Sequence, residues 1–430
     1  MLENDVHTLR QAYANARDET DPFEKFNRAQ GMGAVRDPYP GLAAMRAQSP
    51  VHKLNLAALM GDVKLSAGNL MNASEIYTAL SYDTVFEVLR DGARFCSAGY
   101  QKSMGVVMGH TILGMDGDEH LRHRALLSRA FTPRAIDRWE SELVRPIVNE
   151  YVDRFAARGH ADLVRELTFP FPVRVVAAMM GLPEEDHARF HRLAVELISV
   201  AVDWEGGIRA ARELRELFAP VVAARRNDAR EDLISVLAHA ELEGLRLSDE
   251  AIYAFLCLLA PAGAETTYRS SSNLLFGLLT HPDQLDAVRA DPSLVPQTIE
   301  EGLRWEPPLL GILRTATVDT QLAGVAIPAG APVSVSLGGA NRDPSRWSEP
   351  DRFDVFREQK PHIAFAIGPH VCLGMHLARM ETRVLLQTLF ERLPNLRLDP
   401  EAKDAHITGL IFRSPRELPV LFDPPLASTM

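Results

Sequence analysis

The sequence of 430 residues contains few cysteines and no long apolar segment. Its three cysteines, Cys96, Cys257 and Cys372, do not provide the disulfide framework that stabilises small secreted proteins. No run approaches the roughly 18 consecutive apolar residues that span a bilayer, and residues 1–20 are too polar for a signal-peptide core. These absences predict a cytoplasmic protein without a membrane segment.

The sequence also lacks an excess of positive charge. It contains 46 basic and 57 acidic residues, which give a formal net charge of −11. A nucleic-acid-binding protein needs a basic face that neutralises phosphates, so we expect no nucleic-acid partner. Hydrophobic residues make up 46% of the chain, which indicates a globular protein with a large core.

The segment 365–379 combines glycines, one cysteine and the start of a predicted helix. Cys372 lies between Gly368 and Gly374, and the apolar pattern from Leu377 onward predicts a helix. Unpaired amides at a helix start favour the thiolate, the form of cysteine that binds metals or attacks electrophiles. A lone cysteine is more often a small buried apolar residue, but the detailed spacing here favours a functional loop.

This segment resembles the haem-binding signature of the cytochrome P450 family, in which the cysteine is the thiolate ligand of haem iron. The resemblance implies that Cys372 is the metal ligand. It also implies haem contacts at four flanking positions, namely Phe365, Gly368, His370 and Gly374. Ala366 stands where the family usually has glycine, and we expect this departure to alter the loop geometry slightly.

Three basic residues resemble the family's propionate-binding set. His120 and Arg124 are one helical turn apart, and alone they would be interpreted as a solvated surface pair. Beside the cysteine signature they resemble the pair that binds the haem propionates. Arg314 stands where the family has a further propionate-binding arginine. Arginine suits this role because its planar fork can donate two hydrogen bonds to one carboxylate.

Glu301-Gly302-Leu303-Arg304 resembles the family's Glu-x-x-Arg motif. Such a pair has little meaning alone, since any exposed helix offers one. Its position before the cysteine segment matches the order in the family. Arg352 resembles the third member of the same buried ion-pair network, which supports the fold around the cysteine loop.

Residues 249–280 are predicted to form one helix, about 48 Å long at 1.5 Å per residue. Ser248 is a good N-cap and Pro282 a good stop signal. Pro261 weakens helical hydrogen bonding in the middle of this helix, so we expect a kink or a widened turn.

Glu265 and Thr266 follow this predicted kink. Glu265 could simply face solvent beside a packing kink. The resemblance implies instead the family's acid–alcohol pair, which delivers protons during dioxygen activation beside the haem.

Apolar residues from several parts of the chain are expected to line a pocket for an apolar small-molecule substrate. Some belong to the aperiodic segment 91–117, which could also be an ordinary surface loop. The predicted lining residues are Met104, Val107, Met108, Ala262, Leu309, Leu310, Ile312, Leu313 and Ile411. A terpenoid, steroid, fatty acid or aromatic compound would suit such a lining.

The resemblance implies a mainly α fold with a minor β region. Haem b is expected between the long central helix and the helix that follows the cysteine loop. Residues 1–430 are predicted to form one domain, because the motifs are spread along the chain yet converge on one site. Residues 1–20 are expected to be loosely ordered, and the protein to be a monomer.

The predicted activity is hydroxylation or another oxidation by a haem-thiolate monooxygenase. One domain accounts for the chain, so we expect electrons from a two-iron ferredoxin and its ferredoxin reductase. Six basic residues are expected to form the docking patch, although they could be scattered solvated charges. They are Arg122, Arg129, Arg134, Lys360, Arg379 and Arg383.

Two alternatives remain at the level of the sequence. A peroxide-driven haem-thiolate enzyme would share the cysteine loop but typically lacks the acid–alcohol pair that is present here as Glu265 and Thr266. A haem-binding sensor without enzymatic activity would need neither that pair nor an apolar pocket. Neither alternative is favoured.

Overall fold

A computed structural model describes Asn27, Met32 and residues 35–55, 75–198, 200, 203–402 and 405–424. The expected loose order of residues 1–20 lies outside these residues. Within the described ranges, no helix combines the length and apolar character needed to cross a membrane.

The predicted architecture, mainly helical with a minor β region, is confirmed. The α-helices are α1 (Tyr39–Gln48), α2 (Tyr82–Arg90), α3 (Met104–Met108), α4 (Gly117–Ser128), α5 (Pro133–Trp139), α6 (Arg145–Asp153), α7 (Pro170–Met180), α8 (His187–Ile198), α9 (Trp204–Asn227), α10 (Leu233–His239), α11 (Asp249–Leu279), α12 (Pro282–Ala290), α13 (Val295–Trp305), α14 (Leu337–Asn341) and α15 (Met375–Arg392).

The strands are short. They are β1 (Val51–Lys53), β2 (Tyr77–Ala79), β3 (Phe95–Cys96), β4 (His160–Asp162), β5 (Glu241–Leu242), β6 (Leu245–Arg246), β7 (Gly311–Ala316), β8 (Thr320–Leu322), β9 (Val325–Ile327), β10 (Pro332–Ser336), β11 (Arg397–Leu398), β12 (Ile407–Thr408), β13 (Ser414–Pro415) and β14 (Pro419–Leu421). The largest sheet has the order β1-β2-β10-β7-β3. In this sheet, β10 pairs parallel with β2 and antiparallel with β7. Val333 of β10 lies opposite Arg314 of β7.

The long helix α11 has the predicted boundaries to within one residue. The Ser248 hydroxyl accepts a hydrogen bond from the Ala251 amide at 3.2 Å and so caps the start. Of the two expected changes at Pro261, the widened turn is not observed, since α-helix continues on both sides of it. Pro261 removes one backbone hydrogen bond, but the packing of buried residues along most of the helix keeps both halves helical.

Three clusters of buried apolar residues form the core. The largest joins α11 to the helices around it, including α7, α9, α13 and α15. A second lies between α2 and the largest sheet, and a third joins α1 to Leu310 and Leu410. Tyr39, at the start of α1, is buried in this third cluster, and its hydroxyl donates to Glu306 at 2.6 Å.

The Glu301–Arg304 pair is buried in α13. Arg304 donates two hydrogen bonds to the Glu301 carboxylate, at 2.7 and 2.8 Å. It also donates to the carbonyl oxygens of Pro350 and Arg352, at 2.8 and 3.1 Å. The pair therefore connects α13 to the segment that leads into the cysteine loop.

The prediction for Arg352 is wrong, because its side chain is 58% exposed and faces Glu349 at 3.5 Å. Only the Arg352 carbonyl takes part in the network. The third member of the network is Arg357, whose side chain is 9% exposed and whose Nε lies 3.3 Å from Glu301 Oε1. The backbone turn between the two residues directs Arg352 outward and Arg357 inward, an arrangement that a motif match cannot distinguish.

We predict that Arg357→Ala destabilises the protein by about 2–4 kcal/mol, because it removes one cation from a buried carboxylate network. Arg352→Ala, the matched control, should cost less than about 1 kcal/mol, as expected for an exposed ion pair. Denaturant unfolding of both variants checks this. Equal losses would contradict the assignment of Arg357.

Candidate active site

The cysteine loop is held by its own backbone. The Cys372 amide donates to the Phe365 carbonyl at 2.9 Å, and the Ala366 amide donates to the Ile363 carbonyl at 3.0 Å. A one-turn 3-10 helix covers Gly368–His370, and α15 begins three residues after Cys372. The loop therefore presents the cysteine just before the first turn of α15.

Two residues of this loop have left-handed backbone conformations. Gly368 has φ +74°, and a Cβ added there would lie 2.5 Å from the Leu89 carbonyl oxygen, so glycine is required. Ala366 has φ +55°. The departure from the family's glycine thus keeps the left-handed conformation, at a cost of about 1–2 kcal/mol for an L-residue.

The thiol of Cys372 is accessible to solvent, yet protein atoms surround most of it. This burial raises the pKa of the free thiol, although the Gly374 amide and the positive charges of Arg124 and Arg379 act in the opposite direction. The helix start alone therefore does not produce a thiolate, contrary to the argument from the sequence. A bound metal cation would deprotonate such a thiol directly.

Arg379 of α15 contacts the cysteine loop through Phe365. Its guanidinium is 4.6 Å from the centre of the Phe365 ring, and it donates two hydrogen bonds to Glu300, at 2.6 and 2.8 Å. Burial opposes the effect, but these bonds and His362 lower the pKa of Glu300 to about 2. Phe365 is thus held against the loop by an ion pair.

His120 and His370 are in ring contact, with centroids 4.0 Å apart. His370 Nε2 lies 3.5 Å from Asp116 Oδ1, and Asp116 also accepts hydrogen bonds from the Ser97 amide at 2.9 and 3.0 Å. Burial, helped by nearby positive charge, lowers the pKa of His120 to about 4. His120 is therefore neutral at pH 7 and not the cation that the family pattern suggested.

Arg124 and Arg314 supply the positive charge near His120. Burial lowers the pKa of both guanidinium groups. Arg314 is buried and donates one hydrogen bond, to the Leu313 carbonyl at 2.8 Å. Among the described residues, neither arginine forms an ion pair.

These residues fit the anionic groups of a haem. His120 Nε2 is buried without a hydrogen-bond partner, and the two partly or fully buried arginines beside it form no ion pair among the described residues, although the Asp116 carboxylate acts on Arg314 from a longer distance. Buried charge is costly unless it is paired, so an anionic ligand would complete this cluster. Tyr100, which belongs to no sequence motif, also lies here: its hydroxyl accepts a hydrogen bond from the Leu313 amide at 3.0 Å, and it interacts electrostatically with Arg314.

Glu265 and Thr266 lie side by side in α11 but have different surroundings. Glu265 is buried and forms an ion pair with Arg269, so the interpretation with Glu265 facing solvent is wrong. Burial raises the pKa of Glu265, and Arg269 opposes that rise. Thr266 is half-buried, and its hydroxyl donates to the Ala262 carbonyl at 2.7 Å, where Ala262 itself is exposed.

The predicted pocket residues belong to different packing environments. Val107 and Met108 of α3 pack into the largest core cluster, with Met104 against it. Ile312 packs against the cluster under the sheet. Leu310 is only 1% exposed among Tyr39, Leu42 and Leu80, so it is a core residue and its assignment to the pocket is corrected. Leu309, Leu313, Ile411 and Ala262 keep accessible surface.

Glu381 was not singled out by sequence, because it follows the signature in an ordinary helical pattern. It is 1% exposed in α15, and neither carboxylate oxygen has a hydrogen-bond partner within the geometry of a normal bond. Burial raises its pKa to about 8, with Thr267 of α11 acting weakly in the opposite direction. The carboxyl group is therefore protonated at pH 7.

We predict that the wild-type protein loses stability relative to Glu381→Gln as pH rises from about 5 to about 8. The folded state keeps a proton that the unfolded chain releases above its ordinary pKa, so each pH unit in this window costs about 1.4 kcal/mol. Denaturant unfolding of both proteins at several pH values measures the difference. A difference that does not depend on pH would contradict a protonated Glu381. Glu391→Gln, in the same helix, is the control.

Comparison with known proteins adds to this geometry. Residues 202–412 match the family model described as "Cytochrome P450". The chain is 35% identical to "Cytochrome P450 monooxygenase PikC" of Streptomyces venezuelae over 86% of this chain and 87% of that protein. It is 33% identical to "Steroid C26-monooxygenase" of Mycobacterium tuberculosis over 80% and 94% of the two chains.

A solved structure has the same fold. The crystal structure of CYP109E1 from Bacillus megaterium in complex with testosterone superposes with a TM-score of 0.80 and 29% identity. The match covers 90% of this chain and 99% of that chain.

Proposed function

Since this chain belongs to the cytochrome P450 family, we propose that Cys372 is the thiolate ligand of its haem iron. The protein is a haem-binding monooxygenase that acts on small organic substrates and needs dioxygen and a redox partner. The observation that carries the assignment is the cluster of unpaired His120, Arg124 and Arg314 on one side of the cysteine loop, with Arg124 close enough to Cys372 to influence its pKa.

When bound, a haem with a cysteine thiolate ligand activates dioxygen for insertion into a C–H bond of the substrate. Each of the surrounding protein groups has a separate proposed role. Arg124, Arg314 and His120 bind the propionates, and the Gly374 amide donates to the Cys372 sulfur and tunes it. Phe365, Gly368, His370 and Gly374 shape the loop against the cofactor. Haem b is the form proposed, because it needs only such non-covalent contacts and the one thiolate.

Glu265 and Thr266 are proposed to deliver protons on the other side of the haem. The Thr266 hydroxyl is accessible in α11, next to exposed Ala262, whereas the Glu265 carboxyl group lies in the buried interior. A hydroxyl beside an accessible surface can pass a proton from a buried acid to a ligand or water. The same pair favours a dioxygen-driven over a peroxide-driven enzyme.

The substrate is proposed to be a neutral, apolar molecule. The accessible candidates Ala262, Leu309, Leu313 and Ile411 are uncharged, and an apolar lining with few polar groups selects apolar ligands. Met104, Val107, Met108 and Ile312 are proposed to support this lining from behind. We further propose that the chain acts as one domain and a monomer in the cytoplasm, where its free cysteines stay reduced.

We predict that Cys372→Ser abolishes the thiolate-type absorption band of the reduced carbon monoxide complex. Serine has nearly the same side-chain volume as cysteine, but its hydroxyl group cannot provide a thiolate ligand. Cys257→Ser, which changes a buried cysteine in α11, is the matched control and should keep the band. A thiolate-type band that persists in the Cys372 variant would refute the ligand assignment.

We propose an acidic two-iron ferredoxin with its reductase as the electron donor, and a docking patch made of three of the six basic residues predicted from the sequence. Arg379 is paired with Glu300 and Arg383 with Glu140, so both charges are largely neutralised. Arg122, Arg129 and Arg134 are exposed, and within the described ranges their guanidinium groups form no ion pair. Lys360 is 3.9 Å from Glu358 and contributes less.

We predict that Arg122→Glu or Arg129→Glu raises the KM for ferredoxin several-fold, because a like charge then opposes the acidic partner. Rising salt should weaken the wild-type reaction in the same way. Arg212→Glu makes the same change of charge at an exposed position of α9 and is the control. Steady-state reduction kinetics measure the effect; an identical loss in the control would point to net charge and not to a patch.

A further inference from the structure

The guanidinium of Arg269 is fully buried in α11, one helical turn after Glu265. It forms an ion pair with Glu265 Oε1. Its Nη1 donates to Ser414 Oγ at 3.0 Å, and its Nη2 donates to Asn27 Oδ1 at 2.7 Å. These contacts fix the guanidinium from three separate parts of the chain.

Aromatic rings close the remaining sides of this group. The Arg269 Cζ atom lies 5.1 Å from the centre of the Tyr268 ring and 5.4 Å from that of Phe412. Phe412 forms a β-bridge with Leu309 and follows Ile411, two of the residues proposed to line the substrate pocket. Arg269 thus packs behind the pocket wall while its fork points at the carboxylate.

Glu265 is bound asymmetrically in this arrangement. Oε1 accepts the Arg269 hydrogen bonds, whereas Oε2 is buried and has no hydrogen-bond partner among the described residues. Two other buried carboxylates that pair with arginine use both oxygens: those of Glu301 bind Arg304, and those of Glu306 bind Arg413. A purely structural ion pair would be expected to follow that pattern.

We propose that Arg269 is a positioning residue for proton delivery: it fixes Glu265 through Oε1 and so keeps Oε2 as the atom that exchanges protons towards Thr266. This inference rests on the proposed role of Glu265. Asn27 and Ser414 support the arrangement by holding the guanidinium still. The geometry of proton delivery therefore depends on segments at both ends of the described chain.

Arg269 is also the charged group that acts on Glu265 within the described part of the chain. The other polar groups around the pair are the side chains of Asn27 and Ser414 and the Tyr268 hydroxyl. Loss of the Arg269 cation would leave burial as the dominant influence and raise the pKa of Glu265 further. The pH dependence of proton delivery should then move to higher pH.

The test compares Arg269→Met, Glu265→Gln and the double variant as haem-loaded proteins. Electrons come from NADPH through a two-iron ferredoxin and its reductase, with dioxygen and no added organic substrate. Two electrons and two protons reduce dioxygen to hydrogen peroxide, and four of each reduce it to water, so the ratio of peroxide to NADPH reports proton delivery. This ratio is measured across pH for each protein.

If the inference holds, Arg269→Met increases the peroxide fraction severalfold at neutral pH. It also shifts the pH dependence of this fraction to higher pH. In the Glu265→Gln background the same substitution changes nothing further, because no carboxylate remains to be positioned. An equal additional increase in that background, or an unchanged profile in Arg269→Met, would overturn the inference. An unchanged peroxide fraction in Glu265→Gln alone would instead refute the proposed role of Glu265.

A control and a milder variant guard against misfolding. Arg225→Met breaks another buried ion pair, that with Asp232, and should lower the unfolding midpoint without changing the peroxide fraction. If Arg269→Met does not fold, Arg269→Lys keeps the charge and loses the fork. The peroxide fraction of Arg269→Lys should rise while its pH profile stays where it is in the wild-type protein, and this rise should require Glu265. An equally large rise when Arg269→Lys is combined with Glu265→Gln would refute a positioning role.

Discussion

The structure depends on buried arginines whose charge must be satisfied away from water. Arg269, Arg304 and Arg413 are each almost fully buried, and each binds a carboxylate and at least one group from a distant segment. Removing one partner of such a pair leaves an uncompensated charge and costs about 3–5 kcal/mol. The chain segments that supply the partners are thereby fixed to one another.

These pairs connect the two sides of the active site. Arg304 ties α13 to the segment before the cysteine loop, and Arg413 binds Glu306, just after α13, and the Arg36 carbonyl. Arg269 ties α11 to Ser414, next to Arg413. The position of α11 relative to the cysteine loop is thus set by polar contacts in addition to apolar packing, which by itself would tolerate small shifts.

The sequence was most informative where a local signal determines the structure. The cap at Ser248 and the apolar stripe of α15 predicted helix boundaries closely, because caps and periodicity act within one or two turns. The cysteine loop was equally clear from its spacing. Pro261 neither ends α11 nor widens its turn, since tertiary packing along the helix outweighs the loss of one hydrogen bond.

Partners that are distant in sequence could not be predicted in this way. Arg352 and Arg357 are close in sequence, and only the folded backbone determines which of them reaches Glu301. The ion pair between Glu265 and Arg269 has the i, i+4 spacing, but its burial depends on Asn27 and Ser414. Leu310 was assigned to the pocket because it is apolar, a property that core and pocket residues share.

Helix α4 carries two of the proposed contact sets on different faces. His120 and Arg124 are one turn apart and face the cysteine side, whereas Arg122 and Arg129 are two turns apart and exposed. One short helix thus carries the proposed propionate contacts on one face and the proposed ferredoxin contacts on another. Because a helix moves as a rigid unit over such a length, a partner that binds the outer arginines acts on the same element that holds the inner ones. Pairing Arg379 and Arg383 with carboxylates concentrates the free positive charge of this side on α4 and on the start of α5. The proposed donor would therefore be drawn to the helix that carries the proposed propionate contacts.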